Sequence, residues 1–329
     1  MHIPSGFSSV PSIGHLSRQI LPHNIKKICA VAFIILTFVC PFISYYAHAL
    51  VKGKQLKHIP DERIYRKIFL DWHLANYREV CARIVSGKER MLDCLGYRKG
   101  HYLDPTSRET VQWKEKSSCL ILFVHGLDGH PSHFAEYKKH LERDDRDTHL
   151  LTVLNGGHCT TEDGAAPILS LIGKYREKFP QNPIVLIGTS RGGPIMAHIE
   201  LELREQGEAN PRVYVGTIAG ANNGAGLMRL GTIFRVAYLF FNPGLIEALD
   251  FNQSVPQDLI SRQKAGDLSK RQFDYWATSG DFTVTPYSSG FPDIPGAYHF
   301  LVHGQGHTSV VVGVREDVTG RVEDFLLQS

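Results

Sequence analysis

The residues best suited to chemistry stand in one short stretch. Gly188-Thr189-Ser190-Arg191-Gly192-Gly193 follows the apolar run Ile184-Val185-Leu186-Ile187 and precedes a helix-compatible run to Gln206. A G-x-S-x-G pentapeptide between a strand and a helix puts its serine on a very tight turn, with the hydroxyl projected away from the backbone. Side chains two residues to either side of it would collide, so glycine fits there. The following helix directs its first N–H groups and the positive end of its dipole at the hydroxyl, which favours negative charge developing there. The chemistry indicated is that of a nucleophilic serine.

Such a serine needs a base, an acid to orient the base, and donors for an oxyanion. Earlier in the chain, Ile121-Leu122-Phe123-Val124 runs into His125-Gly126-Leu127-Asp128-Gly129-His130. A glycine-rich turn after a strand brings a backbone N–H to the site, where it joins the N–H that follows the nucleophile. The candidate donors are Leu127 and Arg191. The acid is expected next in the chain, then the histidine. Asp281 stands in Ser279-Gly280-Asp281, just beyond the strand-like run Phe273–Thr278. Capping or turn formation is the ordinary use of an Asp in such a place. His307 lies in His303-Gly304-Gln305-Gly306-His307-Thr308-Ser309, after the run Tyr298–Val302, with His303 as the alternative base. Of the chain's 17 histidines, most must serve packing or the surface.

Together V-H-G-L-x-G, G-T-S-R-G-G, G-D-x-x-V-x-P and G-H-T-S resemble the α/β-hydrolase superfamily, especially its lipase and esterase branches, over roughly residues 117–329. The resemblance implies a Ser190–His307–Asp281 triad with the Leu127 and Arg191 amides as oxyanion hole. It also implies cleavage of carboxylic esters through an acyl-enzyme, with no metal and no cofactor. Thr217–Gly224 is similar to the loop after the next strand in many lipases, although Ala221-Asn222 stands where a Pro-His pair is common. Arg191 stands where Met or Gln is more usual. An acyltransferase or thioesterase would use the same residues. A proline-directed or general peptidase and a non-catalytic binding protein on this fold are the further alternatives, and the presence of all three triad candidates speaks against the second.

The elements that must position these residues can be read from periodicity. Apolar strand-like runs at Cys119–Val124, His149–Leu154, Ile184–Ile187, Val213–Ile218, Tyr275–Thr278 and Tyr298–Val302 alternate with helical stretches. The clearest helices are Pro167–Phe179 and Arg315–Leu327. Short continuous apolar strands between amphipathic helices predict an α/β fold, with a mostly parallel central sheet covered on both faces. This catalytic region spans residues 118–329. Residues 226–268 interrupt the alternation: Leu227–Phe241 is strongly apolar, and Asn242-Pro243-Gly244 breaks it. In the resembling fold such an insertion forms a small helical cap, which favours a lipid ester as substrate.

Ahead of this region lie a polar leader, residues 1–27, and an apolar segment, residues 28–51, without Asp, Glu, Lys or Arg. The segment is long enough for a single membrane pass. The alternative is an exported protein cleaved near Ala49, since Ala47-His48-Ala49 has the small-x-small form of a signal-peptide site. Residues 52–117 are expected to be helical and extended. Within them, Ile64, Ile68, Trp72, Val80 and Ile84 form a helical apolar stripe expected to pack on the domain or lie near a membrane surface. With 36 Lys and Arg against 33 Asp and Glu, scattered along the chain, nothing points to nucleic acid as a partner. The six cysteines show no zinc-ligand spacing, and their sequence leaves a disulfide open.

Overall fold

The computed structural model describes residues 62–94, 102–107, 111–207, 211–226, 228, 243–250 and 254–328. The leader and the apolar segment 28–51 lie outside the described residues, as does the apolar cap stretch Leu227–Phe241 except for Met228. By contact the chain divides into residues 1–61 and 62–329, and every described element belongs to the second unit. No helix among the described residues is long and apolar enough to cross a membrane.

One sheet organises this unit. Its strands are β1 (Tyr102–Leu103), β2 (Cys119–Val124), β3 (Arg146–Leu151), β4 (Ile184–Thr189), β5 (Val213–Ile218), β6 (Arg271–Thr278) and β7 (Tyr298–Val302). They run in the order β1-β3-β2-β4-β5-β6-β7, and each neighbouring pair is parallel. The described helices are α1 (Glu62–Cys94), α2 (Ala135–Leu141), α3 (Thr161–Lys178), α4 (Gly192–Glu205), α5 (Pro243–Leu249), α6 (Ser254–Ala265), α7 (Ser309–Gly313) and α8 (Arg315–Leu327).

Every residue of β2, β4 and β5 is buried, which is why these strands read as unbroken apolar runs. Successive side chains feed opposite cores. Leu120, Leu122 and Val124 join Ile168, Ile172, Met196 and Ile199 on the α3–α4 face. Cys119, Ile121 and Phe123 join Tyr137, Val318 and Val322 on the α2–α8 face. Cys81, Cys119 and Cys159 are free thiols.

Three boundaries depart from the apolar pattern, each for a polar reason. β3 begins at Arg146, whose guanidinium pairs with Glu323, and continues through Asp147, which accepts from the Lys114 N–H. β6 reaches back to Arg271 because Glu200 receives its guanidinium. α3 starts at Thr161, well before Pro167, because Thr160 caps it by accepting from the Asp163 N–H. In the region before the sheet, a helix is present and part of the apolar stripe does not pack on the domain. α1 turns Ala75, Glu79 and Ser86 inward and leaves Val80 and Ile84 exposed, together with Leu74 and Tyr77. Its contacts are largely polar: Arg78 donates to the Gly304 carbonyl, and Ser86 bonds His133. A helix docking on loop backbone needs charge and small size there, and an apolar stripe supplies neither.

This topology also selects where a site can form. β3 and β4 lie on opposite sides of β2, so the connections leaving β2 and β4 run on toward opposite ends of the sheet. The crevice at such a switch point is where α/β sheets bind ligands.

The ion pair joining α4 to β6 is sealed: Glu200 Oε1 lies 2.8 Å from Arg271 Nε, and both side chains are fully buried. Glu200→Ala strands that guanidinium and should cost about 3–5 kcal/mol. The midpoint of urea unfolding reads this directly, and a loss well under about 1 kcal/mol, the range of an exposed pair, would contradict it.

Candidate active site

Ser190 sits on the turn between β4 and α4 with φ +53°, a left-handed conformation that non-glycine residues rarely adopt. The turn is held by its own backbone. The Ser190 N–H donates to the Ile218 carbonyl, and the Ser190 carbonyl accepts from the amides of Gly193 and Ala221. Its glycines are required by contact. A Cβ on Gly188 would lie 2.4 Å from the Gly192 carbonyl oxygen, and one on Gly192 would lie 2.5 Å from the Val124 carbonyl oxygen.

The loop after β2 lies directly against this turn. A Cβ on Gly126 would come 2.6 Å from Ser190 Cβ. The loop is secured by buried His125. Its Nδ1 pairs with the Gly126 carbonyl at 2.7 Å, so Nδ1 carries the proton, and its Nε2 accepts from the Val153 N–H. Next, the Asp128 N–H donates to the Gly156 carbonyl. The Leu127 and Arg191 amides have no hydrogen-bond acceptor among the described residues.

The Arg191 side chain turns away from the serine into the protein, with 1% of its surface exposed. It donates to Thr161 Oγ1 and the Cys159 carbonyl. Burial without a carboxylate partner pulls this guanidinium down to about 10. Arg191 thus ties the start of α4 to the start of α3, which explains why a cation stands where an apolar or amide side chain is more usual.

Asp281 follows β6 and is buried. One carboxylate oxygen, Oδ1, accepts the amides of Thr283 and Val284, each at 2.8 Å. The other, Oδ2, lies 2.7 Å from His307 Nδ1. His303, the alternative base, is exposed and pairs with Ser279 Oγ instead. Burial disfavours the His307 imidazolium, but Asp281 outweighs it and Glu79 adds to the effect. The His307 pKa is therefore held above the ordinary histidine value. Among the described residues no hydrogen bond joins His307 to Ser190 Oγ; such bonds are often long before substrate binds.

Sequence reading missed Glu79, which reaches the His307 loop from α1 and accepts the amides of Thr308 and Ser309. No local signal marks it, because its partners lie at the far end of the chain. Beside Leu127 an apolar cluster collects Ala221, Ala225, Met228, Leu245, Ile246, Leu249 and Val284, drawn from the loops that follow β5 and β6 and from α5. A cavity of about 190 Å³ lies behind the turn, lined in part by Pro194, His198, Asn222 and Leu259, with none of Ser190, Asp281 or His307 on its wall. Among the described residues no group of His, Cys, Asp and Glu is placed to hold a metal ion.

The contacts at Gly188 generate a paired test. Gly188→Ala forces backbone against backbone and should cost about 1–3 kcal/mol in chemical denaturation. Gly173→Ala, in the middle of α3 with nothing within 4 Å of its added methyl, should instead stabilise by up to about 1 kcal/mol. Equal effects at the two positions would deny the turn its special packing.

No protein-family model and no curated protein matches the chain. Solved structures do resemble it. One, from work on the metagenome-derived lipolytic enzymes LipS and LipT, is 16% identical and covers 65% of this chain and 95% of its own, with a TM-score of 0.48. The mature lipase BlEst2 of Bacillus licheniformis is 14% identical over 66% of this chain and 96% of its own, with a TM-score of 0.44. A lipase-esterase related protein from Clostridium acetobutylicum is 18% identical over 64% of this chain and 95% of its own, with a TM-score of 0.42. In its own right, the parallel strand order with a serine turn after β4, an acid after β6 and a histidine after β7 is that of an α/β-hydrolase fold.

Proposed function

We propose that the protein is a serine hydrolase of carboxylic esters, those of lipids in particular, with Ser190 as nucleophile, His307 as base and Asp281 as the acid that orients it. The observation that carries this reading is the 2.7 Å bond from His307 Nδ1 to Asp281, on the same sheet edge as a serine held at positive φ. With Nδ1–H donated to the carboxylate, Nε2 keeps its lone pair and takes the Ser190 proton as Oγ attacks the ester carbonyl. The Leu127 and Arg191 amides stabilise the resulting oxyanion. His307 returns the proton to the departing alcohol, leaving an acyl-serine. Water, deprotonated by His307, then releases the acid and frees Ser190. The apolar cluster beside Leu127 supports an aliphatic acyl chain, as do the uncharged run 28–51 and the apolar stretch Leu227–Phe241.

A fluorophosphonate probe should label the full chain at Ser190, and Ser190→Ala should abolish the labelling. On p-nitrophenyl esters, His307→Ala should lower kcat by orders of magnitude, up to about 10⁶-fold, and His303→Ala far less. Activity should rise from acetate to longer acyl esters. Labelling that survives in Ser190→Ala, or the reverse ranking of the two histidines, would overturn the assignment; a preference for acetate would remove the lipid substrate.

The pH profile follows from the direction of the His307 shift. The base works when neutral, and its pKa is raised, so activity should climb with pH through a midpoint above the ordinary histidine value. Removing the carboxylate charge in Asp281→Asn should move that midpoint to lower pH while reducing kcat by about 10⁴-fold. A midpoint that stays in place would mean that another group controls the limb.

A further inference from the structure

Helix α1 lies outside the sheet-and-helix alternation and contributes nothing to the mechanism above, yet it contains a buried acid aimed at the mechanism's centre. We propose that Glu79 is a positioning residue for His307: its carboxylate holds the backbone amides on the C-terminal side of the imidazole and fixes the loop that carries it. The proposal rests on reading His307 as the base.

Glu79 is 6% exposed, and its carboxylate is fully used. Oε2 accepts the Thr308 N–H at 2.6 Å and the Ser309 N–H at 3.0 Å. Oε1 accepts Arg83 Nε at 2.7 Å from the next turn of α1. On the other side of the imidazole, Arg78 donates to the Gly304 carbonyl at 2.8 Å, so one helix grips the loop both before and after His307. The grip is tight: a Cβ on Gly306 would sit 2.7 Å from both Glu79 Cβ and Oε2. The loop also closes on itself, with the Gly306 N–H donating to Ser309 Oγ. Fixing residues 304, 308 and 309 leaves the His307 ring little freedom apart from its own side-chain torsions.

A carboxylate is an expensive choice for a merely packed position, because burial disfavours its charge. Burial does push the Glu79 pKa up, but Arg83 and the Ser309 amide outweigh it, and the group stays ionised. The charge has a second effect. The charged groups that face His307 are Asp281 from the loop after β6, and Glu79 and Arg83 from α1; α7 brings none. The imidazolium is thus favoured by two carboxylates, with the Arg83 guanidinium opposing them more weakly.

The test uses the full chain with Glu79→Gln and Glu79→Ala. Glutamine keeps an oxygen for the two amides and removes the charge, whereas alanine removes both. Three measurements are made on each variant: melting temperature, kcat and KM for p-nitrophenyl butyrate across pH, and the titration of the His307 ring by ¹⁵N NMR, assigned by difference against His307→Gln. Glu79→Ala should lower kcat by up to about 100-fold, the cost of a misplaced catalytic group, with KM little changed. Glu79→Gln should recover most of that kcat at alkaline pH, while its His307 titrates at lower pH than in the wild type. A fall in melting temperature with kcat and the His307 midpoint unchanged would overturn the proposal. If the alanine variant does not fold, the glutamine variant decides by its midpoint alone. The NMR result also separates this proposal from the hydrolase reading. A chain that neither hydrolyses esters nor reacts at Ser190 would sink that reading, while the His307 midpoint would still answer for Glu79.

Discussion

The site depends on a backbone-to-backbone approach at one end of the sheet. The turn after β4 folds back so closely that Gly188 meets the Gly192 carbonyl, Gly192 meets the end of β2, and Gly126 meets Ser190 itself. No side chain larger than hydrogen fits at these contacts. The positive φ of Ser190 is the product of that crowding: the chain must reverse from strand to helix within a few residues while strands on both sides stay paired. The surrounding structure over-determines this conformation, which is how strain persists at a functional turn. Because β2 and β4 are adjacent and parallel, the amides that follow each of them arrive on the same side of the serine without any further device.

Much of this was legible in the sequence, and the reason is burial. β2 and β5 were found at their observed ends, as was α8, because buried strands and an amphipathic helix leave clean periodic signals; β7, a sheet-edge strand with no buried residue, was marked instead by its aromatic and branched side chains. The glycine turns around Ser190 and Gly126 were legible for a steric reason, since the spacing itself encodes the collision. What escaped was polar. Arg146, Asp147 and Arg271 extend their strands through charged partners elsewhere in the fold, and hydrophobic patterning cannot see a satisfied charge. α1 was recognisable as a helix, but Val80 and Ile84 do not pack on the domain, because its docking surface is a loop of polar backbone.

The charges near Ser190 divide into distinct arrangements. Arg191 is buried with neutral acceptors alone and serves as a brace between α3 and α4. Glu200 and Arg271 neutralise each other in full burial behind the turn, and Asp274 is closed off by Arg321 and Tyr214 on the other face of the sheet. Around His307 the balance tips the other way, with Asp281 and Glu79 both raising its pKa and Arg83 the more weakly felt cation. Negative charge thus gathers at the ring whose protonation must change in the proposed reaction.

The bonds from Glu79 to Thr308 and Ser309 span 229 and 230 residues of chain. Closing so long a loop costs conformational entropy, although that cost grows only slowly with length. Timing is affected more. On the ribosome Glu79 of α1 is made 229 residues before Thr308 and must wait for that stretch before its partners exist, whereas the serine turn and its flanking strands can pair as soon as β5 is made. Docking of the histidine loop on α1 thus follows the making of the serine turn, and a chain not yet extended to Thr308 holds Glu79 without the amides it accepts.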